Sequence, residues 1–210
     1  EGVQDMLRKG IVGLMKKNKV EVVTGAARIV SPRSIEVDGA VYEGANLLIC
    51  TGSRPFVPPV PGLADNPRVV TNEELLALTA MPEHLCIIGA GVIGTEFASL
   101  YAMAGRKVTM IEMLPQICGN TDKELAKTIQ KKLEANGVAV HLNAKVTKVD
   151  GGAVSFTGRD GAEQTVAADL VLVATGRAVN VENLGLETIG VDFDRRGIKV
   201  NERAETNVPG

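Results

Sequence analysis

Apolar positions along the chain switch between two periods. Over residues 3–17 (VQDMLRKGIVGLMKK), Val3, Leu7, Ile11, Leu14 and Met15 recur at helical spacing with Lys and Arg between them, which predicts an amphipathic helix ending near Asn18. From Val20 onward the pattern shortens to the β-rich runs VEVVTG, ARIV, SIEVDG and AVYEG, separated by Gly, Pro, Ser and Asp, and predicts an antiparallel meander. Residues 46–52 (NLLICTG) form a continuous apolar run suited to a buried parallel strand. The proline-rich PFVPPVPG after it reads as a linker.

Beyond Met81 and Pro82 the two periods alternate. The strand LCII runs into a glycine-rich turn, a helix to about Ala104, the stop Gly105 and a second strand, KVTMIE. Thr121-Asp122-Lys123-Glu124 has the form of a capping box, with Leu125, Ile129 and Leu133 lining one face of the helix it opens and Asn136-Gly137 ending it. VAVHL is the next strand, then a second meander (KVTKV, AVSF, QTVAA), then the strand DLVLVATG. This order predicts an α/β fold, a Rossmann-like parallel sheet carrying a β-meander.

The turn Gly89-Ala90-Gly91-Val92-Ile93-Gly94 fits GxGxxG, and its place between a strand and a helix makes a short pattern specific. Gly89 allows the tight turn, Gly91 the close approach of a pyrophosphate to the backbone N–H groups at the helix start, and Gly94 the packing of helix on strand. Glu112 lies 18 residues after Gly94 at the end of the second strand, where a carboxylate can accept both ribose hydroxyl protons and would repel a 2′-phosphate. NAD(H) is therefore expected over NADP(H). Glu96, a charge two residues past Gly94, is unfavourable near a pyrophosphate unless it points along the strand ends toward the nicotinamide.

A weak repeat pairs NLLICTGSRP (46–55) with DLVLVATGRA (169–178), each an apolar strand ending in Thr-Gly. Either copy alone reads as a strand-ending turn. Two copies flanking a dinucleotide motif point to cofactor contact.

Composition narrows the alternatives. The 210 residues are 45% hydrophobic and 23% charged with a net charge of −2, ordinary for a globular core and without a field for nucleic acid or anionic lipid. No apolar run approaches the roughly 20 residues of a membrane span, and no signal peptide opens the chain, so a cytoplasmic location is the expectation. Cys50, Cys86 and Cys118 stand 36 and 32 residues apart, which excludes a close redox dithiol or a zinc knuckle among them. His84 and His141 have no nearby triad partner and read as structural or surface residues, and no metal site is expected. The start at Glu1-Gly2 and the extended TNVPG ending are expected to be the edges of an excised piece.

Taken together, KNKVEVVTGAA, LLICTGSRP, GAGVIGTEFASLYAMAG, VTMIEM, VLVATGRAVNVENLGL and TNVP resemble, across essentially all 210 residues, the flavin-dependent pyridine nucleotide-disulfide oxidoreductases, and within them the dihydrolipoamide dehydrogenases. The resemblance implies partial FAD-domain segments at 1–80 (helix, meander and crossover), an NAD-binding domain at 81–178 and a return segment at 179–210. It implies that Gly89, Ala90, Gly91, Val92, Ile93, Gly94 and Glu112 hold NAD, that Ile93 and Glu96 lie near the nicotinamide, and that Val146 and Gly176 add contacts to the same nucleotide. Ala27, Thr51, Gly52 and Ser53 correspond to the family's backbone contacts to FAD. Glutathione reductases share the architecture but typically place Arg around the 2′-phosphate where this chain has Glu112.

Missing from the sequence are the family's N-terminal glycine-rich FAD motif, its CxxxxC disulfide, its later Gly-Asp FAD motif and the dimerisation domain with the catalytic His-Glu pair. The implied parent is a homodimer that oxidises dihydrolipoamide on a lipoyl domain through FAD to NAD+. The 210 residues themselves are expected to bind NAD(H), to hold FAD weakly or not at all, and to be inactive toward lipoamide. An NADH oxidase or other flavin disulfide reductase of the same family, and a stand-alone NAD-binding module, are the alternatives.

Overall fold

The computed structural model describes residues 2–210. Helix α1 (Gly2–Lys17) precedes β1 (Ala27–Ser31), β2 (Ser34–Val37), β3 (Ala40–Glu43), β4 (Ser53–Pro55), β5 (Val69–Val70) and α2 (Asn72–Ala77). Then come β6 (His84–Ile88), α3 (Val92–Met103), β7 (Lys107–Ile111), α4 (Lys123–Ala135) and β8 (Ala139–His141). The chain continues through β9 (Lys145–Asp150), β10 (Ala153–Thr157), β11 (Glu163–Ala167), β12 (Leu170–Val173) and β13 (Arg177–Val179). Two compact units result, one from residues 2–52 with 179–210, the other from residues 53–178.

In the first unit β1, β2 and β3 form an antiparallel meander. Its small core gathers Ile29, Val181, Leu186 and Val191, and position 185 requires glycine, both for its positive φ and because a Cβ there would meet the Ile29 carbonyl oxygen at 2.3 Å. Helix α1 forms where the period predicts it, and none of its residues is buried. Two expectations fail here. Neither VEVVTG nor residues 46–52 form a strand; Leu48 is 83% exposed and Cys50 is exposed. An apolar run becomes a sheet strand only where a neighbour accepts its ladder of hydrogen bonds, and the Leu47 N–H instead donates to the Gly210 carbonyl.

The second unit is built on a five-stranded, all-parallel sheet in the order β5-β12-β6-β7-β8. Alternation along its strands feeds two cores. Leu85, Ile87, Val108, Met110 and Leu172 face one cluster with Leu75, Ala98, Tyr101 and Leu133 from the helices. Cys86, Ile88, Ile111, Val171 and Val173 face the other, completed by Val149, Val154 and Phe156 of the antiparallel meander β9-β10-β11. Burial on both faces is why these strands read as continuous apolar runs. Residues 53–80, placed with the flavin-domain segments by sequence, pack in this unit because β5 adds to the edge of the sheet beside β12.

Local details also differ from the sequence reading. At α4 the cap is Asp122, whose carboxylate accepts the Glu124 and Leu125 N–H groups, rather than a Thr121–Glu124 box; the two-bond capping box is made by Thr71 and Glu74 at α2. Leu125 and Ile129 are exposed, and α4 buries Ala126 and Leu133. The proline-rich stretch is not a bare linker. The Val149 N–H donates to the Pro61 carbonyl, and a Cβ on Gly62 would meet the Val149 oxygen at 1.7 Å.

Candidate functional site

The carboxyl ends of the parallel strands open into a cleft of about 640 Å³ within the second unit. Phe56, Pro58 and Val60 of the proline-rich stretch form one wall, and Ala174, Thr175 and Gly176, just past the end of β12, form part of the rest. This is where open α/β sheets place ligands. Of the residues singled out in the sequence, Gly89, Gly91, Val92, Ile93, Glu112, Val146 and Gly176 line it.

The three glycines differ in what surrounds them. Gly89 has a φ of +99° and passes so close to the end of β12 that a Cβ would sit 2.6 Å from the Ala174 oxygen. Gly94, buried in the first turn of α3, has room for no side chain, since a Cβ would lie 2.1 Å from the Gly89 oxygen. Gly91 is different. It caps α3 in extended backbone at φ −68°, and a Cβ there would meet nothing within 4 Å. Its missing side chain leaves open space, with the unpaired N–H groups of the first helical turn beside it, the arrangement that receives a phosphate.

Glu112 stands one residue past β7, and both carboxylate oxygens accept backbone N–H groups: Ala90 at 2.6 Å and Leu114 at 2.8 Å. An ionised carboxylate has about four lone-pair sites, so two are left for further hydrogen-bond donors. The sequence shows the acid but not that its carboxylate is fixed in place by the glycine turn itself.

Ala90 is 1% exposed and Gly94 is buried; neither lines the cleft. Glu96 is exposed on α3 and is not among the lining residues. Ala27, Thr51 and Gly52 belong to the first unit and Ser53 to the second. The Thr51 hydroxyl donates to the Asn180 carbonyl, and the Ser53 hydroxyl accepts from Arg177 Nε.

The sequence reading passed over the proline-rich wall, and also Thr95 and Cys118, which are buried outside the cleft lining. Thr95 had a legible signal, a polar residue on the buried face of an apolar helix. Cys118 had none, because its burial follows from a loop after β7 in which it holds a φ of +48°.

Elsewhere in this unit, the Cys86 thiol lies in the sheet and burial pushes its pKa up to about 12, which makes it an inert core group. His84 is buried with Nε2 3.0 Å from the Thr109 hydroxyl. Among the described residues no group of three or more His, Cys, Asp and Glu is placed to hold a metal ion, and no helix is long and apolar enough to cross a membrane.

The sequence profile of one family, described as pyridine nucleotide-disulphide oxidoreductase, matches residues 2–210. A dihydrolipoyl dehydrogenase of Acholeplasma laidlawii is 39% identical over 213 residues, covering 100% of this chain and 62% of that protein. The mitochondrial dihydrolipoyl dehydrogenase of Pisum sativum is 41% identical, with 97% of this chain and 43% of that one covered. A leghemoglobin reductase of Vigna unguiculata is also 41% identical, over 97% of this chain and 41% of its own length. These relatives are thus matched over 41% to 62% of their length. Among solved structures, the HOCl-induced flavoprotein disulfide reductase RclA of Escherichia coli superposes with a TM-score of 0.79 at 31% identity, over 98% of this chain and 50% of that one.

Proposed function

Because the chain belongs to the pyridine nucleotide-disulphide oxidoreductase family, we propose that its 53–178 unit binds NAD(H) and serves as the hydride-acceptor portion of a dihydrolipoyl dehydrogenase. The observation that carries this reading is the pairing of Glu112 with an uncovered Gly91 at the mouth of one cleft. The carboxylate would take the adenosine ribose, the N–H groups from Gly91 to Ile93 the pyrophosphate, and the apolar floor around Ile93, Val146 and Gly176 the nicotinamide end.

NAD+ when bound supplies the carbon that accepts hydride. The protein's own part is binding, orientation and exclusion of water by Phe56, Pro58 and Val60. In the whole enzyme, on this reading, dihydrolipoamide carried on a lipoyl domain would be reoxidised through a disulfide and FAD in a cytoplasmic homodimer. The 210 residues hold three cysteines far apart in sequence, two of them buried, so we expect no lipoamide turnover and no retained FAD from them alone.

The reading is tested by titrating the chain with NADH and NADPH. Tighter binding of NADH, and reversal of that preference by Glu112→Arg, is the expected result; NADH affinity unchanged by the substitution would overturn the assignment. A second reading, an NADH oxidase or other flavin disulfide reductase using the same cleft, is favoured by the likeness to the E. coli reductase. It differs in the electron donor or acceptor and not in the nucleotide.

A further inference from the structure

The peptide between Ala90 and Gly91 is held from inside the protein. The Ala90 carbonyl accepts the Cys118 N–H at 2.7 Å and the Thr95 hydroxyl at 3.3 Å. With its proton given to Ala90, the Thr95 oxygen is free to accept the Cys118 S–H at 3.4 Å. Thr95 and Cys118 are each 8% exposed and Ala90 1%, so this is a buried hydrogen-bonded cluster beneath the glycine turn. None of these residues touches the cleft.

A trans peptide is planar, with its carbonyl and its N–H on opposite edges, and the chain has no cis peptide bond. Fixing the Ala90 oxygen inward therefore fixes the Gly91 N–H outward. Among the described residues no acceptor meets that N–H, while Gly91 itself lines the cleft. Glu112 does the complementary job one peptide earlier, holding the Ala90 N–H. Without the Thr95 hydroxyl, the carbonyl keeps only the Cys118 N–H as an inward partner, and the Ala90–Gly91 plane is held less firmly.

We propose that Thr95 is a positioning residue for the dinucleotide, its buried hydroxyl holding the Ala90 carbonyl inward so that the Gly91 N–H is presented to the pyrophosphate. The role rests on the NAD(H) reading above and deepens it. It makes a chemical distinction: a ligand with a diphosphate depends on Thr95, whereas one that reaches only Glu112 through its ribose does not.

The test uses the full chain and the variants Thr95→Val, Thr95→Ser and Thr95→Ala, with NADH, ADP-ribose and adenosine as probes. Thr95→Val is expected to weaken NADH and ADP-ribose roughly fivefold, the loss of one buried hydrogen bond, and to leave adenosine within about twofold. Thr95→Ser should restore both diphosphate ligands, and the Gly91 amide resonance should shift on ADP-ribose binding in the wild type and in Thr95→Ser but far less in Thr95→Val. If Thr95→Val does not fold, Thr95→Ala supplies the same comparison. Equal binding of ADP-ribose by wild type and the valine variant, or an equal loss for adenosine, overturns the role of Thr95 alone. A wild type that binds none of the three overturns the nucleotide reading on which it stands.

Discussion

Ala90 gives its backbone N–H to the Glu112 carboxylate at 2.6 Å, so the acid expected to recognise the ribose also fastens the turn expected to recognise the phosphates. Glu112→Ala removes both functions together. It leaves the Ala90 and Leu114 N–H groups without their acceptor, and should cost about 1–3 kcal/mol of stability. It should also weaken NADH binding. Urea denaturation followed by circular dichroism, beside a fluorescence titration with NADH, checks both; a variant that loses affinity at full stability would mean the Ala90 contact is dispensable.

Gly94 and Gly91, three residues apart in one turn, should separate folding from binding. Gly94→Ala drives a Cβ to within 2.1 Å of the Gly89 oxygen, a backbone atom that cannot yield cheaply, and is expected to destabilise the chain by about 1–3 kcal/mol. Gly91→Ala meets nothing within 4 Å and needs no unusual φ, so its stability should stay within about 0.5 kcal/mol while NADH affinity falls at least tenfold. Chemical denaturation and NADH titration of the two variants give opposite patterns if the glycines act as described.

Burial at the start of β6, and secondarily the nearby Lys107, hold the His84 pKa below its ordinary 6.5. The native state thus favours the neutral ring, and the unfolded chain binds more protons at mildly acid pH. His84 accordingly adds stability that is full above pH 6.5 and lost as pH falls through its depressed folded value. Thermal melts at pH 7.5 and pH 5.5 should show a smaller acid-induced drop in His84→Gln than in the wild type; an equal drop would place the acid sensitivity elsewhere.

How much of this was readable in the sequence depends on how local each cause is. The glycine turn, the strands beside it and Glu112 were legible because a strand-turn-helix-strand unit is coded within the 27 residues from Cys86 to Glu112. Gly89 and Gly94 show their reason only in space, against Ala174 and against each other, yet their spacing alone marks them. Residues 46–52 misled because an apolar run cannot show whether a pairing strand lies alongside. Thr121 misled because Asp122 competes for the same cap and its carboxylate takes two N–H groups. Phe56, Pro58 and Val60 were missed as wall residues because proline-rich composition predicts extended backbone and nothing about what that backbone covers.

The repeated Thr-Gly pairs make equivalent bonds in their two units. The Thr51 hydroxyl donates to the Asn180 carbonyl and the Asn180 N–H to the Gly52 carbonyl; the Thr175 hydroxyl donates to the Phe56 carbonyl and the Phe56 N–H to the Gly176 carbonyl. Thr175→Val should cost about 1 kcal/mol, one hydrogen bond, in the urea midpoint of the second unit, and Thr175→Ser should recover most of it. No difference between the valine and serine variants would mean that the hydroxyl contributes nothing.

Arg177 reaches back to Ser53 with Nε 2.7 Å from the hydroxyl, so the polypeptide enters and leaves the 53–178 unit at nearly the same point. A segment whose two ends meet behaves as a cassette. It can be spliced into a host loop, or lifted out of one, without stretching the chain on either side, and new termini can be opened elsewhere on its surface once Ser53 and Arg177 are joined.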